Sequence, residues 1–128
     1  MIRACIFDLD GTLADTLESM SSVANKIMES FGLNTLPTDN FRYYSGEGAD
    51  MLVSRCLKDA GDVELAHFEE AKKLYRERFD ADPLYRVTPY RGIPEVLREL
   101  KKNGVKLAVC SNKPHEAAVK VIDQLFGK

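Results

Sequence analysis

The sequence predicts an α/β fold in which one βαβ unit, with two parallel strands, is interrupted by a long helical insertion. Three observations carry that prediction. Ile2 to Phe7 and Val105 to Cys110 are short, nearly continuous apolar runs bounded by polar loops, the pattern of strands buried on both faces. Between them, from about residue 16 to 81, apolar residues recur at helical spacing. The segment from Pro94 to Lys102 supplies one more helix, so removing the insertion leaves strand, helix, strand, joined by a right-handed crossover.

The elements follow in order. After the first strand, Leu9-Asp10-Gly11-Thr12 breaks the chain, and Asp15-Thr16-Leu17-Glu18 has the form of a capping box. Leu17, Met20, Ala24, Ile27, Met28 and Phe31 then form one helical stripe that stops at Gly32. Pro37-Thr38-Asp39 restarts a short helical stretch around Phe41 to Tyr44, and Ser45-Gly46-Glu47-Gly48 interrupts it. Ala49, Leu52, Val53, Cys56, Leu57 and Ala60 share the next helical face, closed by Gly61. Asp62 is expected to cap a longer helix carrying Leu65, Phe68, Ala71, Leu74, Tyr75 and Phe79. A turn-rich connector through Pro83 and Pro89 leads to a helix with Pro94 near its start, Lys101-Lys102 at its negative end and Asn103-Gly104 as its stop. The second strand gives way to Ser111-Asn112-Lys113-Pro114 and a last helix through Val119, Ile122, Leu125 and Phe126.

Composition narrows the function. The 128 residues suit one core, and 18 basic against 20 acidic side chains leave a net charge of −2, without the basic excess that nucleic acid or anionic lipid would require. Apolar runs reach only four residues, too short to span a bilayer, and no secretory signal precedes Asp8. The three cysteines, Cys5, Cys56 and Cys110, are widely spaced, which fits small core hydrophobes in a reducing cytoplasm rather than disulfides or a zinc site.

In such units the reactive loops lie beyond the carboxyl ends of the strands, here at Asp8 and Ser111. Asp8 and Asp10 stand two residues apart, so in extended backbone both carboxylates point the same way. Two carboxylates in one pocket drive their pKa values apart unless a cation compensates, and one can then act as nucleophile while the other moves protons. Mg²⁺, a hard cation, accepts oxygen ligands of this kind. The plainer reading is a strand end with turn-forming aspartates. Ser111 and Asn112 likewise read either as an ordinary helix cap or as phosphate ligands beside a helix N-terminus. Lys113 either faces the same anion or solvates the loop. Gly46 and Gly48 would let backbone approach a small carboxylate at the next helix start; alone they mark a flexible turn. His67 and His115 lack a second histidine at ligand spacing.

The string Cys5-Ile6-Phe7-Asp8-Leu9-Asp10-Gly11-Thr12-Leu13-Ala14-Asp15-Thr16 closely resembles the first motif of the haloacid dehalogenase-like phosphatases, and Ser111-Asn112-Lys113-Pro114 resembles their second. Tyr44 to Leu52 and Thr88 to Pro94 resemble the cap loop and return segment of phosphoglycolate phosphatases. The resemblance implies a partial Rossmann-like core over 1–15 and 87–128 and a helical cap over 16–86. It implies Asp8 as nucleophile, Asp10 as general acid and base, and Mg²⁺ held by the Asp8 carboxylate and the Asp10 main-chain carbonyl. Gly11, Thr12, Ser111 and Asn112 would bind phosphate, and Gly46, Glu47 and Gly48 the rest of a small phosphorylated metabolite. A phosphomutase using the same intermediate, or a non-catalytic binding or assembly module, are the rival readings; Asp10 speaks against a dehalogenase.

The family's third motif, a lysine, and its fourth, an acidic motif, are not found in the seventeen residues after Ser111. A metal shell left mostly to water would be weak, and a missing charge partner removes transition-state stabilisation on the order of several kcal/mol. The 128 residues alone are therefore expected to be nearly inactive. The two-stranded sheet is expected to need a second copy, an exchanged segment or a C-terminal half to cover its edges.

Overall fold

A computed structural model describes residues 1–127 and holds the expected parallel pair: β1 (Ala4–Phe7) beside β4 (Lys106–Val109), with Ala4 opposite Lys106 and Phe7 opposite Val109. The described residues also form six α-helices: α1 (Leu17–Ser30), α2 (Phe41–Tyr44), α3 (Ala49–Ala60), α4 (Phe68–Ala81), α5 (Ile93–Lys102) and α6 (His115–Phe126). A second sheet, absent from the sequence reading, pairs β2 (Ala14–Asp15) antiparallel with β3 (Thr88–Pro89). These two short strands are where the chain leaves for the helical insertion and returns from it, and they tie the two crossings together.

Two apolar clusters organise the packing. The larger lies among α1–α4 and is centred on Ile27, Met28, Phe41, Cys56, Leu57 and Ala71, each all but inaccessible to water. The smaller gathers Leu9, Leu13, Ala14, Val87 and Val121, with Phe7, Ile93, Leu97 and Ile122 packed against it. Tyr44 and Phe41 meet edge to face, 5.1 Å between ring centroids, in the interior of the helical lobe, while Tyr43 is exposed.

Three local expectations are corrected. The strands are not buried on both faces: Cys5 and Phe7 are half-buried, Ile6 is 73% exposed, and all of β4 is exposed. One face of the pair meets the smaller cluster and the other meets none. The capping box at Asp15 does not close, because Asp15 is paired in β2 opposite Thr88 and Glu18 turns away to Arg86, 3.3 Å distant. Asp15 Oδ1 instead accepts one hydrogen bond from the Leu17 amide at 3.3 Å. Asp62 caps a turn rather than α4, which begins six residues later. Its carboxylate accepts the amides of Ala66 and His67, both at 2.9 Å.

Candidate active site

The ends of β1 and β4 emerge side by side. The Cys110 amide donates to the Phe7 carbonyl at 2.8 Å, so the residues that follow, Asp8 and Ser111, leave adjacent strands at the same level. Past Asp8 the chain folds back tightly, with the amides of Thr12, Leu13 and Ala14 all donating to the Leu9 carbonyl. Gly11 makes that reversal with φ +82°, a left-handed conformation that side chains resist. Asp8 Oδ1 accepts the Leu9 amide at 2.8 Å, which fixes its carboxylate at the strand end.

On the opposite side, the loop between α2 and α3 crosses with Gly46 at φ +108° and Gly48 at φ +92°, and Gly48 directly precedes α3. Asn112 Nδ2 donates to the Gly46 carbonyl at 3.1 Å and joins the two loops. The loop after β4 is itself ordered by the Lys113 amide donating to Ser111 Oγ at 3.1 Å. Between these parts lies a half-open cleft of about 470 Å³ whose wall includes Asp8, Asp10, Gly46, Glu47, Gly48, Ser111 and Asn112. Gly11 and Thr12 lie outside it, both exposed, on the outer side of the reversal.

The helical lobe contributes residues that sequence reasoning missed: Met20 from α1 and Tyr75, Arg76, Phe79 and Asp80 from α4. Tyr75 and Phe79 stack with centroids 5.2 Å apart, and burial pushes the Tyr75 phenol up so that it stays neutral. In the sequence they were indistinguishable from the core stripe of α4, because a helix face that covers a cavity and one that covers a core share the same spacing. The pocket ion pairs, Arg76 to Asp50 at 2.6 Å and Arg55 to Glu47 at 2.5 Å, connect α4 to α3 and α3 to the glycine loop.

Asp10 is the most perturbed carboxylate of the site. Burial pushes its pKa up from the ordinary 3.8, and the charge of Asp8 adds to that rise. The Lys113 ammonium, 3.4 Å from Asp10 Oδ2, and the Thr16 hydroxyl pull the other way without cancelling it. A carboxyl whose pKa is pushed up by burial is suited to exchange a proton during a reaction.

Asp8 and Asp10 offer hard oxygen atoms at one corner, and Asp10 Oδ1 is buried with no hydrogen-bond partner among the described residues. Those residues contain no group of three His, Cys, Asp or Glu side chains able to enclose a metal. The site fits a hard cation in kind and supplies part of its shell. No helix among the described residues is long and apolar enough to cross a membrane.

The chain is similar to known proteins along nearly all of its length. The chain is 36% identical over 124 residues to phosphoglycolate phosphatase of Aquifex aeolicus, covering 97% of itself and 55% of that protein. It is 33% identical to phosphoglycolate phosphatase 1 of Pseudomonas aeruginosa, covering 46% of it. The chain thus spans about half the length of these curated relatives. Among solved structures, it superimposes on CbbY from Rhodobacter sphaeroides in complex with phosphate with a TM-score of 0.68, at 27% identity, covering 100% of this chain and 59% of the other. A candidate phosphoglycolate phosphatase from Lactobacillus delbrueckii gives a TM-score of 0.86 at 25% identity, covering 98% and 61%. Residues 5–126 match the family described as haloacid dehalogenase-like hydrolases, and the chain belongs to it.

Proposed function

We propose that this chain carries the nucleophile, the proton-transfer group and the covering lobe of a phosphate monoester hydrolase, most like phosphoglycolate phosphatase. One observation carries the reading: Asp8, Asp10 and Ser111, which belong to two separate strand ends, line one cavity together with the Gly46–Gly48 loop. The relatives named phosphoglycolate phosphatase support the substrate class.

In this reading the Asp8 carboxylate attacks phosphorus in line, forming an acyl phosphate as the bond to the leaving oxygen breaks. Asp10, its pKa raised by burial, gives that oxygen a proton. It then takes a proton from water as water attacks the acyl phosphate, releasing inorganic phosphate and restoring Asp8. Ser111 and Asn112 hold phosphoryl oxygens at the start of α6, where free backbone amides favour an anion. The glycine loop and the start of α3 receive the distal carboxylate, and residues 16–86 act as the cap that excludes water. Mg²⁺ would be held by the Asp8 carboxylate and the Asp10 main-chain carbonyl, where it would offset the charge gathered between nucleophile and phosphate.

Phosphate release from 2-phosphoglycolate with added Mg²⁺ tests the proposal, measured for these 128 residues and for a longer protein that carries them. The short chain is expected to be nearly inert and the longer one active. Asp8→Asn and Asp10→Asn should each lower turnover by about a thousandfold or more. Undiminished turnover in both variants would end the proposal.

A further inference from the structure

Lys113 is placed unlike any other cation of the site. Its side chain is only 1% exposed, and its ammonium has no well-formed hydrogen bond among the described residues. Two neighbours hold it: Asp10 Oδ2 at 3.4 Å and the ring of Phe79 on α4, whose centroid is 4.3 Å away. An ammonium has three donors, and neither a long ion pair nor an aromatic face saturates them. Burying a charge so incompletely coordinated is costly unless a further partner completes the set.

Among the described residues, no acceptor of the cavity it borders completes a hydrogen bond to the ammonium. Arg76, the other cation on the wall, is 57% exposed and committed to Asp50 at 2.6 Å. The remaining charged side chains of the wall are carboxylates, Asp8, Glu47 and Asp80 among them. A phosphate dianion entering that acidic surround needs a positive contact near Ser111, and Lys113 is two residues away on the same loop. The flexible stem of lysine lets one ammonium serve two anions in turn, which a planar guanidinium does less well.

We propose that Lys113 is an anion ligand of the cavity, shared between the Asp10 carboxylate and a phosphoryl oxygen of the bound substrate, with Phe79 holding the ammonium within reach of both. The inference rests on the phosphatase reading and adds a binding residue that the two strand-end aspartates and Ser111 do not supply. It also links the lobes. The residue that steadies the ammonium sits on α4, so seating the helical lobe orients the cation, and phosphate occupying the cavity draws it off Asp10.

Binding of inorganic phosphate to the 128-residue chain in the presence of Mg²⁺, followed by titration calorimetry and ³¹P NMR, tests this without requiring turnover. Lys113→Met should weaken binding about tenfold or more and flatten the dependence of affinity on salt, because one screened charge contact is gone. Lys113→Arg should keep the salt dependence and lose only a few-fold in affinity, and Phe79→Leu should lose about two- to threefold. Circular dichroism checks that each variant is folded; should Lys113→Met fail that check, Lys113→Gln takes its place. A lysine with a merely structural role would lower the melting temperature and leave the salt dependence alone, and that result would overturn the inference. So would phosphate binding that Ser111→Ala weakens and Lys113→Met spares, with the phosphatase reading left standing. Failure of the unaltered chain to bind phosphate, or binding that neither variant weakens, would overturn both.

Discussion

The helical lobe and the parallel pair are built on opposite terms. Among the described residues, the helical cluster holds sixteen buried apolar side chains and the strand-side cluster five, so hydrophobic stabilisation is concentrated in the insertion. The helical lobe closes on itself: its stripes from α1, α3 and α4 face a common interior. The strand pair closes poorly: Ile6 is 73% exposed on the face opposite Phe7, and Leu107 and Val109, paired with Cys5 and Phe7, also keep contact with water. Yet the chemically distinctive residues stand on the less stable side, at the strand ends, and take their cover from the more stable one. The asymmetry suits a site whose wall must be rigid on one side while its floor is completed by further contacts.

Truncation at matched positions would break or sharpen this contrast most. Phe41, wholly buried among α1–α3, should cost about 3–5 kcal/mol as Phe41→Ala, measured by urea denaturation. Ile6→Ala, on the open face of β1, should stay within about 0.5 kcal/mol. Comparable costs at the two positions would mean that something covers Ile6 in solution and that the two lobes are more alike than they look.

Association gives the next largest effect. A two-stranded sheet with two free edges and an open apolar face is a template for further pairing. Sedimentation velocity of the 128-residue chain is expected to show mass rising with concentration, and Ile6→Lys, which puts a charge on the open face, should suppress it. A cooperative monomer at every concentration would show that the pair is self-sufficient.

How much of this was legible in the sequence divides along the same line. The helical stripes were readable because period 3.6 over a dozen residues is a strong signal, and β1 and β4 because their apolar runs end at polar loops. Their pairing, and the convergence of Asp8 with Ser111, followed from topology. What was not legible lies where tertiary geometry overrides local pattern. The β2–β3 pair involves two residues on each side, too few for any period, and its formation pulled Asp15 away from capping α1. Thr12 looked like a site residue from its place in the string, but the reversal after Leu9 turns it outward. Phe79 and Tyr75 looked like interior residues and are buried in the helical core, and only the docking of α4 over the strand ends makes them part of the cavity wall as well.

Two titrations inside the helical lobe refine the comparison at the level of single groups. Tyr44 donates to Asp59 Oδ2 at 2.5 Å, and burial together with that carboxylate pushes its phenol up to about 12. The fold therefore favours the neutral phenol. Its contribution is fully present below pH 10 and is lost as pH rises from 10 toward 12. Tyr44→Phe should cost about 1 kcal/mol at neutral pH and remove part of the alkaline loss, as followed by thermal melting across pH.

The smallest effect belongs to Asp62, whose carboxylate accepts the amides of His67 and Ala66 and is held by them below its ordinary 3.8. Here the sign reverses. The charged form is favoured by folding, so the stabilisation is present above that ordinary value and fades as pH falls through the lowered one. Asp62→Asn keeps the shape and an acceptor oxygen but removes the charge, so it should lower the neutral plateau slightly and flatten the acid limb of the melting profile. The turn it caps delivers α4 to the cavity, with His67 stacked on Phe31 at 4.3 Å as a second anchor. If the acid limb survives unchanged in Asp62→Asn, the Asp62 carboxylate does not carry the acid loss, and the aromatic stack rather than the capped turn sets how α4 begins.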